Sequence, residues 1–290
     1  LFVCAEAKGR MRVLPFSFAQ SMFLCIIDRR ERSVFLMVYT APSPHVPERI
    51  DTVNENLRLI QRTTGLTYGT DAYLLSAMLR ARPHAIGVEL GGGSGIVSLL
   101  ALTKQKLSHA HIWEIQPEYA DLCRRNAALN ALEGRITVHE GDVRAASVAD
   151  TDGEVDVVFS NPPYMLPGSG KDNRTREMNI ARREENGSIV DFCAAAARLL
   201  RYGGTCTVVY RPDRFVDLID AMRKNALEPK YAVFVYPSVH DAPCLVLTEA
   251  RKGGSVQLSI APPLVIYADK SAGRYTPEME RVYAECSLRF

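Results

Sequence analysis

Several kinds of chemistry are excluded by what this 290-residue chain lacks. Its seven cysteines (Cys4, Cys25, Cys123, Cys193, Cys206, Cys244 and Cys286) form no C-x-x-C pair and no metal-type spacing. An odd, scattered set fits buried thiols in a reducing, cytoplasmic compartment better than a disulfide framework. The six histidines show no H-x-x-x-H spacing, and His109 and His111 merely alternate on one strand, so they read as structural. No metal site is expected. No G-x-S-x-G elbow or Ser-His-Asp arrangement points to acyl transfer. Lys plus Arg (35) nearly balances Asp plus Glu (33), so no polyanionic partner is demanded, although a local basic patch would suffice for one. There is no internal repeat and no low-complexity tract. The apolar stretch from Val13 to Ile27 stops short of the roughly 20 residues that span a bilayer.

That stretch follows Lys8, Arg10 and Arg12 and precedes Asp28-Arg29-Arg30-Glu31-Arg32, the charge order of a signal peptide, but no small-residue cleavage site follows. Residues 1–46 are therefore expected to be an irregular extension, with Met37 a candidate start, and residues 47–290 the working domain. Pro42, Pro44 and Pro47 punctuate the join.

From Asp51 onward the pattern becomes regular. Leu57–Gln61 and Gly65–Tyr68 are expected to form a hairpin around Arg62-Thr63-Thr64. Thr70 or Asp71 would then cap a helix running through Leu74, Leu75, Met78 and Leu79. Next, the strand Ala85–Leu90 enters Gly91-Gly92-Gly93-Ser94-Gly95 and a helix from Ile96. A strand, a glycine turn and a helix N-terminus make a cofactor cradle. The pattern is E-x-G-x-G-x-G from Glu89, not the dinucleotide form G-x-G-x-x-G, whose third glycine would fall on Ile96 or Ser98. An acid at Glu89 suits a cationic ligand tail and repels a pyrophosphate. S-adenosylmethionine, with its ammonium and sulfonium, fits better than a nucleotide, which stays open as the alternative.

A second strand ends near Glu114, where a carboxylate can take both ribose hydroxyls. A third, Ile136–His139, leads to Asp142, placed to accept from an adenine amino group, with Val143 beside the ring. A fourth, Val155–Phe159, runs into Ser160-Asn161-Pro162-Pro163-Tyr164. Two prolines stop the ladder there and leave a rigid tip. Glu89, Glu114, Asp142 and Asn161 thus fall at four strand tips, where open α/β sheets place ligands. Beyond Tyr164 comes a long polar stretch to Asn186, with Lys171, Arg174, Arg182 and Arg183, then an alanine-rich helix and a strand to Tyr210. Arg211-Pro212-Asp213-Arg214 opens another helix, and the strands Tyr231–Tyr236 and Cys244–Thr248 read as a closing antiparallel pair.

Glu89 to Gly95, Glu114, Asp142 and Asn161 to Tyr164 together resemble the class I S-adenosylmethionine-dependent methyltransferases that modify planar nitrogen. Tyr68-Gly69-Thr70-Asp71-Ala72 resembles their "small domain" branch. Ile180-Ala181-Arg182-Arg183-Glu184, Arg211 to Arg214 and Tyr275-Thr276-Pro277-Glu278 are similar to the bacterial enzymes that methylate the adenine next to the anticodon of a valine tRNA. Where those relatives carry His, this chain has Arg183. The resemblance implies a Rossmann-like α/β fold, a seven-stranded, mostly parallel sheet with an antiparallel closing pair, acting as a monomer on tRNA. It implies cofactor contacts from Thr70, Asp71, Glu89, Gly91, Gly93, Gly95, Glu114, Asp142, Val143 and Asn161. Asn161, Pro162, Pro163 and Tyr164 would carry the transfer, with Tyr164, Lys171, Arg174, Arg182, Arg183, Arg211 and Arg214 on the RNA. The rival substrates are a ribosomal RNA guanine amino group and a protein glutamine amide.

Overall fold

The computed structural model describes residues 21–28, 33–40, 47–65, 67–80, 82–163 and 187–288. The chain divides into two compact units, residues 1–47 and 48–290. The first contains strands β1 (Ser21–Asp28) and β2 (Ser33–Thr40), which pair antiparallel over their full length. The extension expected to be irregular thus holds a hairpin. Its strands are mostly apolar and include Phe23, Ile26, Ile27, Val34, Phe35, Val38 and Tyr39, residue types that suit extended backbone.

The second unit opens with the hairpin β3 (Glu48–Asn54) and β4 (Leu57–Arg62). The turn lies at Glu55-Asn56, where Asn54 Oδ1 accepts the Asn56 N–H, and not at Arg62-Thr63-Thr64 as expected. β3 is mostly exposed, so it lacks the apolar alternation by which a strand is recognised. β4 buries Leu57 and Leu59.

Helix α1 (Thr70–Met78) follows, then β5 (Ile86–Leu90), α2 (Ile96–Thr103), β6 (His109–Glu114), α3 (Pro117–Leu129), β7 (Ile136–Glu140) and β8 (Val155–Ser160). After the residues not described come α4 (Ile189–Leu199), β9 (Leu200–Tyr210), α5 (Phe215–Lys224), β10 (Leu227–Tyr236) and β11 (Leu245–Lys252). Short strands β12 (Ser259–Ile260), β13 (Leu264–Val265), β14 (Tyr267–Asp269) and β15 (Arg274–Tyr275) lead to α6 (Pro277–Glu285).

The long strands lie in the order β7-β6-β5-β8-β9-β11-β10. Only β11 runs against its neighbours, pairing antiparallel with both β9 and β10, as the expected closing pair requires. The sheet exceeds the expected seven strands because β12 and β13 each add two parallel residues along the outer edge of β10. Helices α1, α2, α3 and α6 pack one face, and α4 and α5 the other. Burial on both faces is what the Val/Ile-rich central strands call for, each large apolar side chain contributing roughly 1.5–3 kcal/mol.

Strand order reverses between β5 and β8, which lie parallel with Leu90 opposite Ser160. The crevice beyond their carboxyl ends is the topological switch point where such sheets bind ligands. Helix α1 is held beside it from below. Lys106, buried, donates from Nζ to the carbonyls of Ser76 (2.6 Å) and Leu79 (2.7 Å), stopping the helix in place of a free C-terminus. Burial pushes that amine down to about 8.

Candidate methyl-transfer site

A cavity of about 230 Å³ opens at this switch point, walled by Glu89, Gly91 to Ser94, Glu114, Val143, Phe192, Asp71 and Asn161 to Pro163, among others. Its floor is the glycine loop. Gly91, Gly93 and Gly95 have φ of +75°, +55° and +78°, the left-handed region in which a side chain is strained. Gly92 is required for a different reason, since a Cβ there would stand 2.2 Å from Ile112 Cγ2 in the core.

Two carboxylates set the loop. Glu89, on β5, is buried, and its Oε2 accepts the Ser98 backbone N–H (3.0 Å) and the Ser98 hydroxyl. It thereby ties the first turn of α2 to the sheet. Among the described residues Oε1 has no partner. Burial raises the carboxyl to about 8, against the Ser98 hydrogen bonds that lower it. Glu114, at the end of β6, accepts Gly93 N–H on Oε2 (2.8 Å) and Gln116 N–H on Oε1 (2.9 Å). It is also shifted upward by burial.

Asn126 of α3 completes the cradle. Fully buried, it donates from Nδ2 to the carbonyls of Ile60 and Ser94 and accepts the Ile60 N–H at 2.6 Å. One turn on, Asn130 accepts the Arg58 N–H and donates to the Arg58 carbonyl. The two amides replace a missing strand along β4 and join the β3–β4 hairpin to the glycine loop.

The tip after β8 is built differently. Ser160 is locked by its hydroxyl to the Leu90 carbonyl (2.6 Å), and Pro162 is buried, but Asn161 is exposed. Its Nδ2 donates to Asp71 Oδ2 at 2.7 Å, and its Oδ1 has no protein donor among the described residues.

The structure therefore brings Asp71, Glu89, Gly91, Gly93, Glu114, Val143, Asn161, Pro162 and Pro163 to one cavity, whereas Thr70, Gly95, Asp142, Arg211 and Arg214 do not line it. Thr70 neither caps α1, whose first boundary residue is Gly69, nor lines the cavity; its hydroxyl is 2.9 Å from Tyr283 OH of α6. Asp71 likewise makes no cap on α1 in the expected sense, because its Oδ1 accepts from the adjacent Ala72 N–H. Gly95 closes on Cys123 and Ile112 beneath the loop. Asp142 lies just outside, its carboxylate bound by the Arg144 guanidinium, which holds its acid below the usual range. Arg211 pairs with Asp213 and Arg214 with Asp217, so their guanidinium groups have protein partners. Tyr164, Lys171, Arg174, Arg182 and Arg183 fall outside the described residues. Phe192, Gln116 and Asn126 belong to the site without having been expected there. Phe192 follows a Ser188–Asp191 capping box that starts α4 beside the cavity, a signal visible in the sequence once that helix is placed. Among the described residues no group of three or more His, Cys, Asp or Glu is placed to hold a metal, and no helix is long and apolar enough to cross a membrane.

A doubly wound sheet of order 3-2-1-4-5-7-6 with acids at its tips and a glycine loop at the switch point defines a Rossmann-like methyltransferase fold. The chain belongs to the methyltransferase small domain family, whose model matches residues 64–226. It is an enzyme of methyl transfer, and S-adenosylmethionine is its cofactor. The residues present fit that group: the cavity is lined by a buried acid, Glu89, with one oxygen free of partners among the described residues, and by a second acid, Glu114, two strand spacings from the tip. The chain is 26% identical over 232 residues to the tRNA1(Val) (adenine(37)-N6)-methyltransferase of Porphyromonas gingivalis, covering 77% of this chain and 89% of the relative. Among solved structures it is similar to a protein described as a predicted O-methyltransferase from Agrobacterium tumefaciens (TM-score 0.60, 22% identity, 76% of this chain and 98% of that one). It also resembles the tRNA m1G37 methyltransferase of M. jannaschii (TM-score 0.51, 16% identity, 75% and 61%).

Proposed function

We propose that the protein methylates the exocyclic amino group of an adenine in tRNA, the adenine next to the anticodon of a valine tRNA, and that it does so in the cytoplasm. The observation that carries this reading is the Asn161 side chain, which lines the cavity at the end of β8, gives its Nδ2 to Asp71 and has no donor on its carbonyl oxygen among the described residues. The names of relatives at 26% to 28% identity support the choice of tRNA and of adenine.

When bound, S-adenosylmethionine supplies an electrophilic methyl group on its sulfonium. Glu89 Oε1 would receive the ammonium of its amino acid end and Glu114 its ribose, with Val143 and Phe192 against the adenine. Asp142 would reach the adenine amino group only by sharing its carboxylate with Arg144. At the tip, Asn161 Oδ1 and the Pro162 carbonyl would accept the two N–H bonds of the substrate amine. That amine is a poor nucleophile because its lone pair is delocalised into the ring. Two acceptors favour the pyramidal nitrogen on which positive charge develops. No base is needed before attack, since the proton becomes acidic only afterwards, and positioning carries most of the rate. Tyr164 would stack on the flipped base, worth roughly 1–3 kcal/mol. Lys171, Arg174, Arg182, Arg183, Arg211 and Arg214 are proposed for the RNA backbone, the last two by exchanging their carboxylate partners for phosphate.

The test incubates the protein with labelled S-adenosylmethionine and, separately, bulk tRNA, ribosomal RNA and ribosome-release proteins. Label is expected on tRNA as N6-methyladenine, and Asn161→Ala is expected to lose it about 10²- to 10³-fold, the effect of removing one oriented transition-state group. Label on guanine of ribosomal RNA or on a glutamine amide transfers the reading to those substrates. Label on none of them, or label on tRNA indifferent to Asn161→Ala, overturns it.

A further inference from the structure

Asn161 is the group on which the proposed chemistry turns, and it is exposed. An exposed asparagine amide has a broad, two-fold terminal torsion, so its oxygen and nitrogen can exchange places at little cost. One orientation presents an acceptor to the substrate amine. The other presents a donor and opposes two N–H groups to each other. Something must choose between them.

Among the described residues, Asn161 has one hydrogen-bond partner, Asp71 Oδ2, reached across 90 residues of sequence at 2.7 Å. A carboxylate offers acceptors only, so the amide must turn its NH₂ toward it. The carboxylate is itself held, because Asp71 Oδ1 accepts the Ala72 N–H (3.0 Å), which is shared with the Gly69 carbonyl (3.2 Å), in the first turn of α1. That helix is stopped at its other end by the buried Lys106. The order therefore runs from a backbone N–H to a carboxylate to an amide to the cavity, and each link allows one polarity.

We propose that Asp71 is a positioning residue that fixes Asn161 with its oxygen toward the substrate amine, making the tip an obligatory acceptor. This rests on the reading of Asn161 given above, and it gives Asp71 a role other than the direct cofactor contact expected from the sequence. The arrangement also selects the substrate class. A planar group bearing N–H bonds is matched, whereas a carbonyl or other acceptor at the same place meets another acceptor.

The Ala72 N–H makes the consequence of substitution unusually sharp. In Asp71→Asn the new amide must keep its oxygen on Ala72 N–H, which points its own NH₂ at Asn161. Asn161 must then answer with its oxygen and turn its NH₂ into the cavity. Asp71→Ala only releases the amide, which can still adopt the productive orientation when substrate arrives. The near-isosteric variant should accordingly be the worse enzyme.

The experiment compares Asp71→Asn, Asp71→Ala and Asn161→Ala in the full chain. It measures turnover on tRNA at saturating S-adenosylmethionine, the dissociation constant for S-adenosylhomocysteine, and the Asn161 side-chain amide signals by ¹⁵N NMR, assigned from their loss in Asn161→Ala. Asp71→Asn is expected to lower kcat about a hundredfold, the scale of a misplaced reacting contact. Asp71→Ala should lose less, both should leave S-adenosylhomocysteine affinity unchanged, and the Asn161 signals should shift in both. A merely structural or charge role predicts Asp71→Ala at least as damaging as Asp71→Asn, and that order overturns the proposal. So does a loss confined to cofactor affinity. If Asn161→Ala is fully active, the reading of the tip fails; if Asn161→Ala is inactive but its amide signals are unmoved by Asp71→Asn, the positioning role fails alone. The NMR measurement decides the latter whatever the substrate is.

Discussion

The two halves of the transfer site are held in opposite ways. The cofactor side is tied at many points: Glu89 to α2, Glu114 to the loop and to Gln116, Asn126 to both the loop and β4, with Ile112 and Cys123 closing from below. Among the described residues, the substrate side is one exposed amide on one hydrogen bond. A cradle whose ligand is the same in every turnover gains by being finished before the ligand arrives, since ordering on binding would be subtracted from affinity. A tip that meets a base drawn out of an RNA stack, as proposed above, needs correct polarity more than rigidity. Damage on the two sides should therefore register in different measurements.

The largest effect is expected at the tip and should be kinetic alone. The 10²- to 10³-fold loss in Asn161→Ala should come with an unchanged melting temperature, because the side chain is exposed and buries nothing. A melting temperature that falls with activity would break the contrast. Gly92→Ala comes next and should be thermodynamic. Its Cβ would lie 2.2 Å from Ile112 Cγ2, and overpacking of that kind costs about 3 kcal/mol, read as a lower denaturant midpoint together with weaker cofactor binding. Asn126→Ala should cost about 2 kcal/mol by stranding the Ile60 and Ser94 backbone groups, and it too should weaken S-adenosylhomocysteine binding, although it touches no ligand. The smallest effect is a pH dependence. Glu89 is raised to about 8 from an ordinary 4.5, so the ligand-free fold binds its proton more tightly than the unfolded chain does. That stabilisation is complete below about 4.5 and is lost as pH rises through about 8. A ligand ammonium favours the ionised form, so affinity should rise up to about tenfold per pH unit as pH climbs toward 8, with proton release seen by calorimetry. Glu89→Gln should flatten that profile; an unchanged slope would assign the proton elsewhere.

Much of the cofactor side was legible in the sequence because its constraints are local. A glycine needed for positive φ, an acid ending a strand and a helix starting at once lie within ten residues, and the rule that ligands gather at carboxyl strand ends does the rest. Glu89, Glu114 and Asn161 were located that way. What was not legible depends on contacts between distant segments. Asp71 reads as a helix cap until α1 is seen against β8. Asn126, amid the apolar residues of α3, gives no sign that its amide replaces a strand. The hairpin was misplaced by several residues because β3 faces solvent and carries no alternation, while Arg62-Thr63-Thr64 looks like a turn. The family resemblance assigned Thr70 and Gly95 to the cofactor, yet the hydroxyl of the first lies against Tyr283 of α6 and the second packs on Cys123 and Ile112 of the core.

The paired amides of α3 bear on one further property, the behaviour of the hairpin toward other chains. A two-stranded sheet has two free edges, and an edge with unclaimed N–H and C=O groups recruits strands from neighbouring molecules. On the side of β4 away from β3, Arg58 has both its backbone groups held by Asn130, and Ile60 both by Asn126. That side is closed to strand addition by two side chains rather than by a covering strand, and any partner that extends the hairpin has only β3 to build on.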